Sequence, residues 1–248
     1  MATPDNASDN NGVKAVSPVS ISVFFPCFNE QDNITRVVMA ALAVLESIQA
    51  DYEVIVVNDG SRDQTAQRIN QLAEDHDCVR VIHHSTNLGY GAALQSGFKA
   101  ACKELVFYTD GDGQFDISEM PPLLEIIRTC DIVSCYRLDR QDSFMRKLNG
   151  WCWTKLVSGV FGLRMRDIDC AFKLYRRVIF DDMTLCSTGA LIDTEILARA
   201  QRKGCRIEQK GVHHFARRSG DPSGANWRVV IRAFKELFQL RQRIVRGD

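Results

Sequence analysis

The chain has 248 residues, 45% hydrophobic and 25% charged, a make-up that fits a globular domain with a large core and excludes a disordered or collagenous chain. No apolar stretch reaches the roughly 18 to 20 residues that span a bilayer, and residues 1–17 lack the basic start and apolar centre of a secretory signal. The net charge of zero is unevenly shared: residues 1–131 carry 8 Lys+Arg against 19 Asp+Glu (−11), and residues 132–248 carry 23 against 12 (+11).

Residues 1–17, rich in Asp, Asn and Ser, are expected to form a disordered tail, with one domain over 18–248. Nine scattered cysteines without a Cys-x-x-Cys pair read as reduced, small apolar residues of a cytoplasmic protein. The positive second half is where an anion would be drawn. A phosphate-bearing substrate or an anionic membrane surface fits that half; nucleic acid does not, since no motif for it is present.

In chain order, strands are predicted at Ile21–Phe25, Glu53–Val57, Arg80–His84, Leu105–Thr109 and Asp131–Tyr136. Helices are predicted at Gln31–Ile48, Asp63–Asp75, Tyr90–Cys102 and Ser118–Arg128. Such alternation implies an α/β fold with a mostly parallel sheet, right-handed crossovers and helices on both faces. Residues 18–136 form the clear βαβ half; 137–248 follow a weaker pattern and read as an acceptor-binding half. Two amphipathic stretches lie there. Residues 225–245 place Trp227, Ile231, Phe234, Phe238 and Ile244 near one face, and 144–161 carry Phe144, Leu148, Trp151, Val157 and Phe161 among basic residues. Either stretch suits docking on the domain or contact with a membrane interface.

The strand ends carry the chemistry. Leu105-Val106-Phe107-Tyr108 runs into Asp110-Gly111-Asp112-Gly113-Gln114, aiming two carboxylates at the carboxyl edge of the sheet, where open α/β folds bind ligands. A hard divalent cation, Mg²⁺ or Mn²⁺, would offset their repulsion and still leave coordination sites for substrate phosphates, with the amide oxygen of Gln114 as a further ligand. The first strand runs into Pro26-Cys27-Phe28-Asn29-Glu30 and the second into Asn58-Asp59-Gly60-Ser61, so Asp59 faces the same rim and can accept from a base N–H or a ribose hydroxyl. Asn87-Leu88-Gly89-Tyr90-Gly91 forms a Gly-rich entry to a helix, which would let backbone approach a diphosphate or serve helix packing.

Taken in order and spacing, Pro26-x-Phe28-Asn29-Glu30, Asn58-Asp59-Gly60-Ser61, Asn87-x-Gly89-x-Gly91 and Asp110-x-Asp112-x-Gln114 resemble family-2 glycosyltransferases of the GT-A fold. Within that family the chain is most similar to polyprenyl-phosphate sugar transferases of the dolichol-phosphate mannosyltransferase type. The resemblance, over about Val19 to Leu240, implies inverting transfer from a UDP- or GDP-sugar to a lipid phosphate at the cytoplasmic membrane face. It implies a metal on Asp110, Asp112 and Gln114, and nucleotide recognition near Pro26, Phe28, Glu30, Asp59, Asn87, Gly89 and Asp110. Asp167-Ile168-Asp169-Cys170-Ala171-Phe172 resembles the family's Asp-x-x-Ser/Thr-Gly-Phe element, which assigns the acceptor-facing role to Asp167 rather than Asp169. Arg217 in Arg217-Arg218-Ser219-Gly220-Asp221-Pro222-Ser223 resembles its phosphate ligand. Two alternatives remain open: transfer to a hydroxyl with Asp193 as base, and a non-catalytic nucleotide-binding scaffold.

Overall fold

The structure is a computed structural model that describes residues 18–138, 144–216 and 227–246; the predicted tail at 1–17 and Arg217 lie outside the described residues. Seven strands form one sheet in the order β3-β2-β1-β4-β6-β5-β7. The first half follows the predicted alternation: β1 (Ser20–Cys27), α1 (Ile34–Ser47), β2 (Asp51–Asn58), α2 (Thr65–Asp75), β3 (Val79–His83), α3 (Tyr90–Ala100) and β4 (Leu105–Thr109). These four strands are parallel. They read as near-continuous apolar runs because both faces are covered: Val23, Phe25 and Phe107 pack under α1, while Phe24, Ile55 and Tyr108 pack under α3.

The predicted helix at Ser118–Arg128 is divided. A 3-10 turn over Ile117–Glu119 precedes α4 (Pro121–Ile126), because Pro121 and Pro122 offer no N–H to a preceding turn but fit a helix start. Beyond β5 (Ile132–Leu138) and α5 (Phe144–Phe161), three elements appear that the sequence pattern did not announce: β6 (Phe172–Arg176), α6 (Ile192–Arg202) and β7 (Ile207–His213). Strand β6 runs antiparallel between β4 and β5. Its central Lys173 is 0% exposed, so a charge interrupts what would otherwise be an apolar run. Helix α6 buries Asp193, Thr194 and Glu195, and β7 is an edge strand with alternating exposure. Buried polar groups in β6 and α6, and the half-exposed edge position of β7, hide these elements from a reading based on hydrophobic periodicity.

Helix α7 (Trp227–Arg246) docks through Leu237, Leu240 and Ile244, all buried against the α3 and α6 side of the sheet. Phe238 points away and is 56% exposed, which corrects the single apolar face predicted for 225–245. In α5, Val157 is buried while Leu148 and Trp151 are exposed. The side chains of Phe144, Trp227, Ile231 and Phe234 fall outside the described set. Among the described residues no helix is long and apolar enough to cross a membrane.

Candidate active site

Three strand ends meet at one rim through backbone hydrogen bonds. Gly111 N donates to Pro26 O (3.2 Å), joining the end of β4 to that of β1, and Asp59 N donates to Cys27 O (2.9 Å), joining β1 to β2. The Pro26–Glu30 loop is laced to the next loop: Asn29 N donates to Ser61 Oγ (3.0 Å), Arg62 N to Asn29 Oδ1 (2.8 Å) and Glu30 N to Thr65 Oγ1 (2.8 Å). Asn29 adopts a left-handed φ of 57°, which Asn tolerates better than most residues. Glu30 is buried and accepts from Asn33 Nδ2 (2.8 Å). This lacing leaves Phe28, 39% exposed, presenting its ring at the rim.

Asp59 is 3% exposed and heavily engaged. Its Oδ1 accepts from Leu88 N (2.9 Å) and lies 2.7 Å from His84 Nδ1, and its Oδ2 accepts from Gly89 N (2.9 Å). Gly91 N and Ala92 N donate to Thr188 O (2.9 and 3.3 Å). The start of α3 therefore already holds an anion, the Asp59 carboxylate, together with a carbonyl. A Cβ on Gly89 would lie 2.6 Å from Thr188 O, and one on Gly91 would lie 2.7 Å from Gly189 O. The glycines admit the segment around Thr188, which is the packing alternative for this turn. Asn87 is exposed beside it.

At the end of β4, Asp110 is half-buried and Asp112 is 8% exposed. Tyr90 OH donates to Asp110 Oδ1 (3.0 Å), and burial, followed by the charge of Asp110, holds the phenol well above its usual pKa so that it remains a donor. Desolvation, with Asp112 next, pushes the Asp110 carboxyl up to about 8. Asp112 Oδ1 accepts from Gln114 N (3.0 Å). Two confined carboxylates, one of which raises the proton affinity of the other, fit a hard divalent cation, which would relieve the repulsion and still bind substrate phosphate. Gln114 is tied to the segment after β7: its Nε2 donates to Phe215 O (3.1 Å), and Phe215 N donates to Gln114 O (2.8 Å). That pair carries the chain from the carboxylate loop to the residue before Ala216 and Arg217.

Asp167 and Asp193, predicted as catalytic, sit in different settings. Asp167 is 8% exposed and clamped by Arg137, whose Nε and Nη2 reach its two oxygens at 2.6 and 2.8 Å. Asp193, 2% exposed, accepts at Oδ1 from Lys173 Nζ (2.8 Å) and from Tyr108 OH. Lys173 Nζ also donates to Ile168 O (3.1 Å) and Cys170 O (2.6 Å) and lies 3.3 Å from Tyr108 OH. Burial would lower the lysine's pKa, but Asp193 outweighs it and the net shift is upward, so the ammonium stays charged. One buried cation thus ties the Asp167–Cys170 loop to α6 and to β4, two residues before Asp110. Asp169 is half-buried, and burial, then Asp193 and Asp167, pushes its carboxyl up to about 7. Arg137, Lys173, Tyr90 and Tyr108 are the residues a motif reading misses; Lys173, a lone charge within Ala171-Phe172-Lys173-Leu174-Tyr175, is the one with a visible signal.

A mixed sheet whose β1, β2 and β4 ends converge on a carboxylate pair defines an α/β protein of the class whose ligand site lies at the carboxyl edge of the sheet. The family model for glycosyl transferase family 2 matches residues 22–184, and the chain belongs to that family. It is 28% identical over 212 residues to undecaprenyl-phosphate 4-deoxy-4-formamido-L-arabinose transferase from Enterobacter sp. (strain 638), covering 85% of this chain and 64% of that protein. It is 27% identical over 233 residues to dodecaprenyl-phosphate galacturonate synthase from Rhizobium johnstonii, covering 91% of this chain and 69% of that protein. The chain thus spans slightly less than two thirds of the arabinose transferase. Among solved structures, glucosyl-3-phosphoglycerate synthase from Mycobacterium tuberculosis, in complex with Mn²⁺, UDP and phosphoglyceric acid, shares the fold with a TM-score of 0.64 at 18% identity, covering 92% of this chain and 76% of that one.

Proposed function

We propose that this protein is a metal-dependent, inverting glycosyltransferase that moves a sugar from a UDP- or GDP-sugar to a polyprenyl phosphate at a membrane surface. The observation that carries this reading is the confined Asp110–Asp112 pair at the rim shared by β1, β2 and β4. The names of the arabinose and galacturonate transferases support the acceptor class.

In this reading Asp110, Asp112 and the amide oxygen of Gln114 hold Mg²⁺ or Mn²⁺, which when bound supplies positive charge to the leaving diphosphate. The exposed ring of Phe28 offers a stacking face for the base, with Pro26 and Glu30 shaping the loop beneath it. Asp59 shapes the Asn87–Gly91 turn beside the nucleotide through its bonds to Leu88 N and Gly89 N. A phosphate monoester is anionic near neutral pH, so it needs orientation and charge compensation more than deprotonation. Arg217 and Arg137 are the guanidinium groups assigned to that task, with Asp167 fixing the plane of Arg137. Asp193 serves as the partner of Lys173. Attachment to the membrane is assigned to the basic second half, with Trp151, Leu148 and Phe238 exposed for shallow insertion.

The hydroxyl-acceptor reading makes Asp193 the base, and the two readings predict opposite rankings. Arg217→Ala is expected to reduce turnover with polyprenyl phosphate by about 10²-fold while leaving donor affinity intact. Asp193→Asn is expected to lower turnover less than Arg217→Ala does, and to shift melting temperature more. Initial rates, nucleotide affinity and thermal melts of both variants check this. Loss of all chemistry in Asp193→Asn with an unchanged melt and near-normal turnover in Arg217→Ala would favour the hydroxyl acceptor. The scaffold reading predicts nucleotide binding with no sugar loss from any donor.

A further inference from the structure

The loop before β6 carries two carboxylates, Asp167 and Asp169, and its hydrogen bonds divide their tasks. Asp167 has its two oxygens on Arg137 (2.6 and 2.8 Å). Ile168 and Cys170 are fully buried, and Lys173 Nζ holds both of their carbonyls. The backbone on either side of Asp169 is thus pinned. The Asp169 side chain forms no hydrogen bond or ion pair with any described residue, and the residue is only half-buried.

Strand register fixes where this residue lies. Phe172 pairs with Thr109 on one side, and Lys173 pairs with Ser134 on the other. The segment entering β6 therefore stands at the rim between the end of β4, which continues to Asp110, and the end of β5, which runs on to Arg137. Charge is unbalanced there. Two cations, Arg137 on β5 and Lys173 on β6, act on Asp169, together with two further carboxylates, Asp167 in the same loop and Asp193 at the head of α6. Each cation is already paired, Arg137 with Asp167 and Lys173 with Asp193, which leaves Asp169 over. Burial, then the charges of Asp193 and Asp167, pushes its carboxyl up to about 7 against the two cations. A carboxyl that keeps its proton is a hydrogen-bond donor. Arg137 also has an open edge: Nε and Nη2 are on Asp167, and Nη1 donates to no described residue.

We propose that Asp169 is an acceptor-binding residue whose carboxyl shares one proton with an oxygen of the acceptor phosphate, while Arg137 Nη1 binds a second oxygen. The inference rests on the polyprenyl-phosphate reading above. A phosphate monoester is mostly a dianion above about pH 7, so an ionised carboxylate would repel it and only the protonated carboxyl holds it. The proton stays between two oxygens, and no other bond changes.

The test is calorimetric binding of farnesyl phosphate to the full chain in Mg²⁺ with UDP or GDP, from pH 7 to pH 9, with farnesol as the phosphate-free control. Wild-type affinity for farnesyl phosphate is expected to fall by about tenfold across that range, because the complex retains one proton that free Asp169 loses. Asp169→Asn, a neutral donor at every pH, is expected to bind about threefold more weakly at pH 7, to show no such fall, and to exceed the wild type at pH 9. Its melting temperature at pH 8 is expected to match or exceed the wild-type value, since a confined charge has been removed. A pH dependence that survives in Asp169→Asn would overturn the role, as would wild-type affinity that is constant from pH 7 to pH 9. A lower melt in the variant would show that the carboxylate is paired and would overturn it too. Farnesol binding as tightly as farnesyl phosphate, or no binding of either, would remove the lipid-phosphate reading itself and this role with it.

Discussion

Asp112→Ala is expected to lower turnover by about 10²- to 10³-fold and to abolish the sensitivity of nucleotide binding to chelation, because it removes one of two carboxylates that only a cation can hold together. The backbone cost is small: Asp112 follows β4, and the link to β1 runs through Gly111 N. A linked effect has a sign that can be worked out. The Asp110 carboxyl is raised to about 8 and that of Asp169 to about 7, against a usual 3.8. Both bind a proton more tightly folded than unfolded, so their stabilising share is full below about pH 4 and is lost as pH rises through 7 to 8. A cation on Asp110 and Asp112 replaces the proton and reverses the Asp110 share. Thermal melts should therefore show a larger Mn²⁺-induced rise at pH 8 than at pH 6, and no such rise in Asp112→Ala. Equal rises at both pH values, or a metal response that survives the substitution, would count against the site.

Lys173→Met should produce the largest loss of stability of any single change considered. Removing the cation leaves Asp193 and the carbonyls of Ile168 and Cys170 without their shared donor inside the sheet, a loss of about 3–5 kcal/mol. Catalytic consequences should follow from geometry: Ile168 and Cys170 flank Asp169 in the loop proposed to face the acceptor, and Tyr108 stands two residues before Asp110. Pairing the change with Asp193→Leu, so that no charge is left alone, is expected to recover a substantial part of the stability while the acceptor KM stays raised. Urea unfolding gives the first quantity and steady-state kinetics the second. Near-wild-type stability in the single variant would show that the buried pair is not coupled as its hydrogen bonds indicate.

The parts of the fold legible in the sequence were those where one physical signal dominates. Strands β1, β2 and β4 are apolar runs covered on both faces, each ending in a polar turn, and the convergence of Pro26, Asp59 and Asp110 follows from placing parallel strand ends side by side. In the second half the signals compete. Strand β6 has its buried Lys173, α6 buries three polar residues in its first turn, and β7 alternates as an edge strand, so periodicity alone misses all three. The Asn87–Gly91 turn was legible as a site of close approach, yet what approaches is Asp59 and the Thr188 segment of the same chain. Arg137 has no local signal, since its partner Asp167 is thirty residues away.

The most direct test of the account is transfer itself. The purified protein, incubated with Mn²⁺, undecaprenyl phosphate and radiolabelled UDP- and GDP-sugars, neutral and acidic, is partitioned between organic and aqueous phases. Label from one donor is expected to enter the organic phase as an acid-labile sugar phosphate, and this transfer is expected to stop on chelation and in Asp112→Ala. Label that instead moves efficiently onto a water-soluble alcohol while polyprenyl phosphate is ignored, or donor that binds and is never consumed, would contradict it.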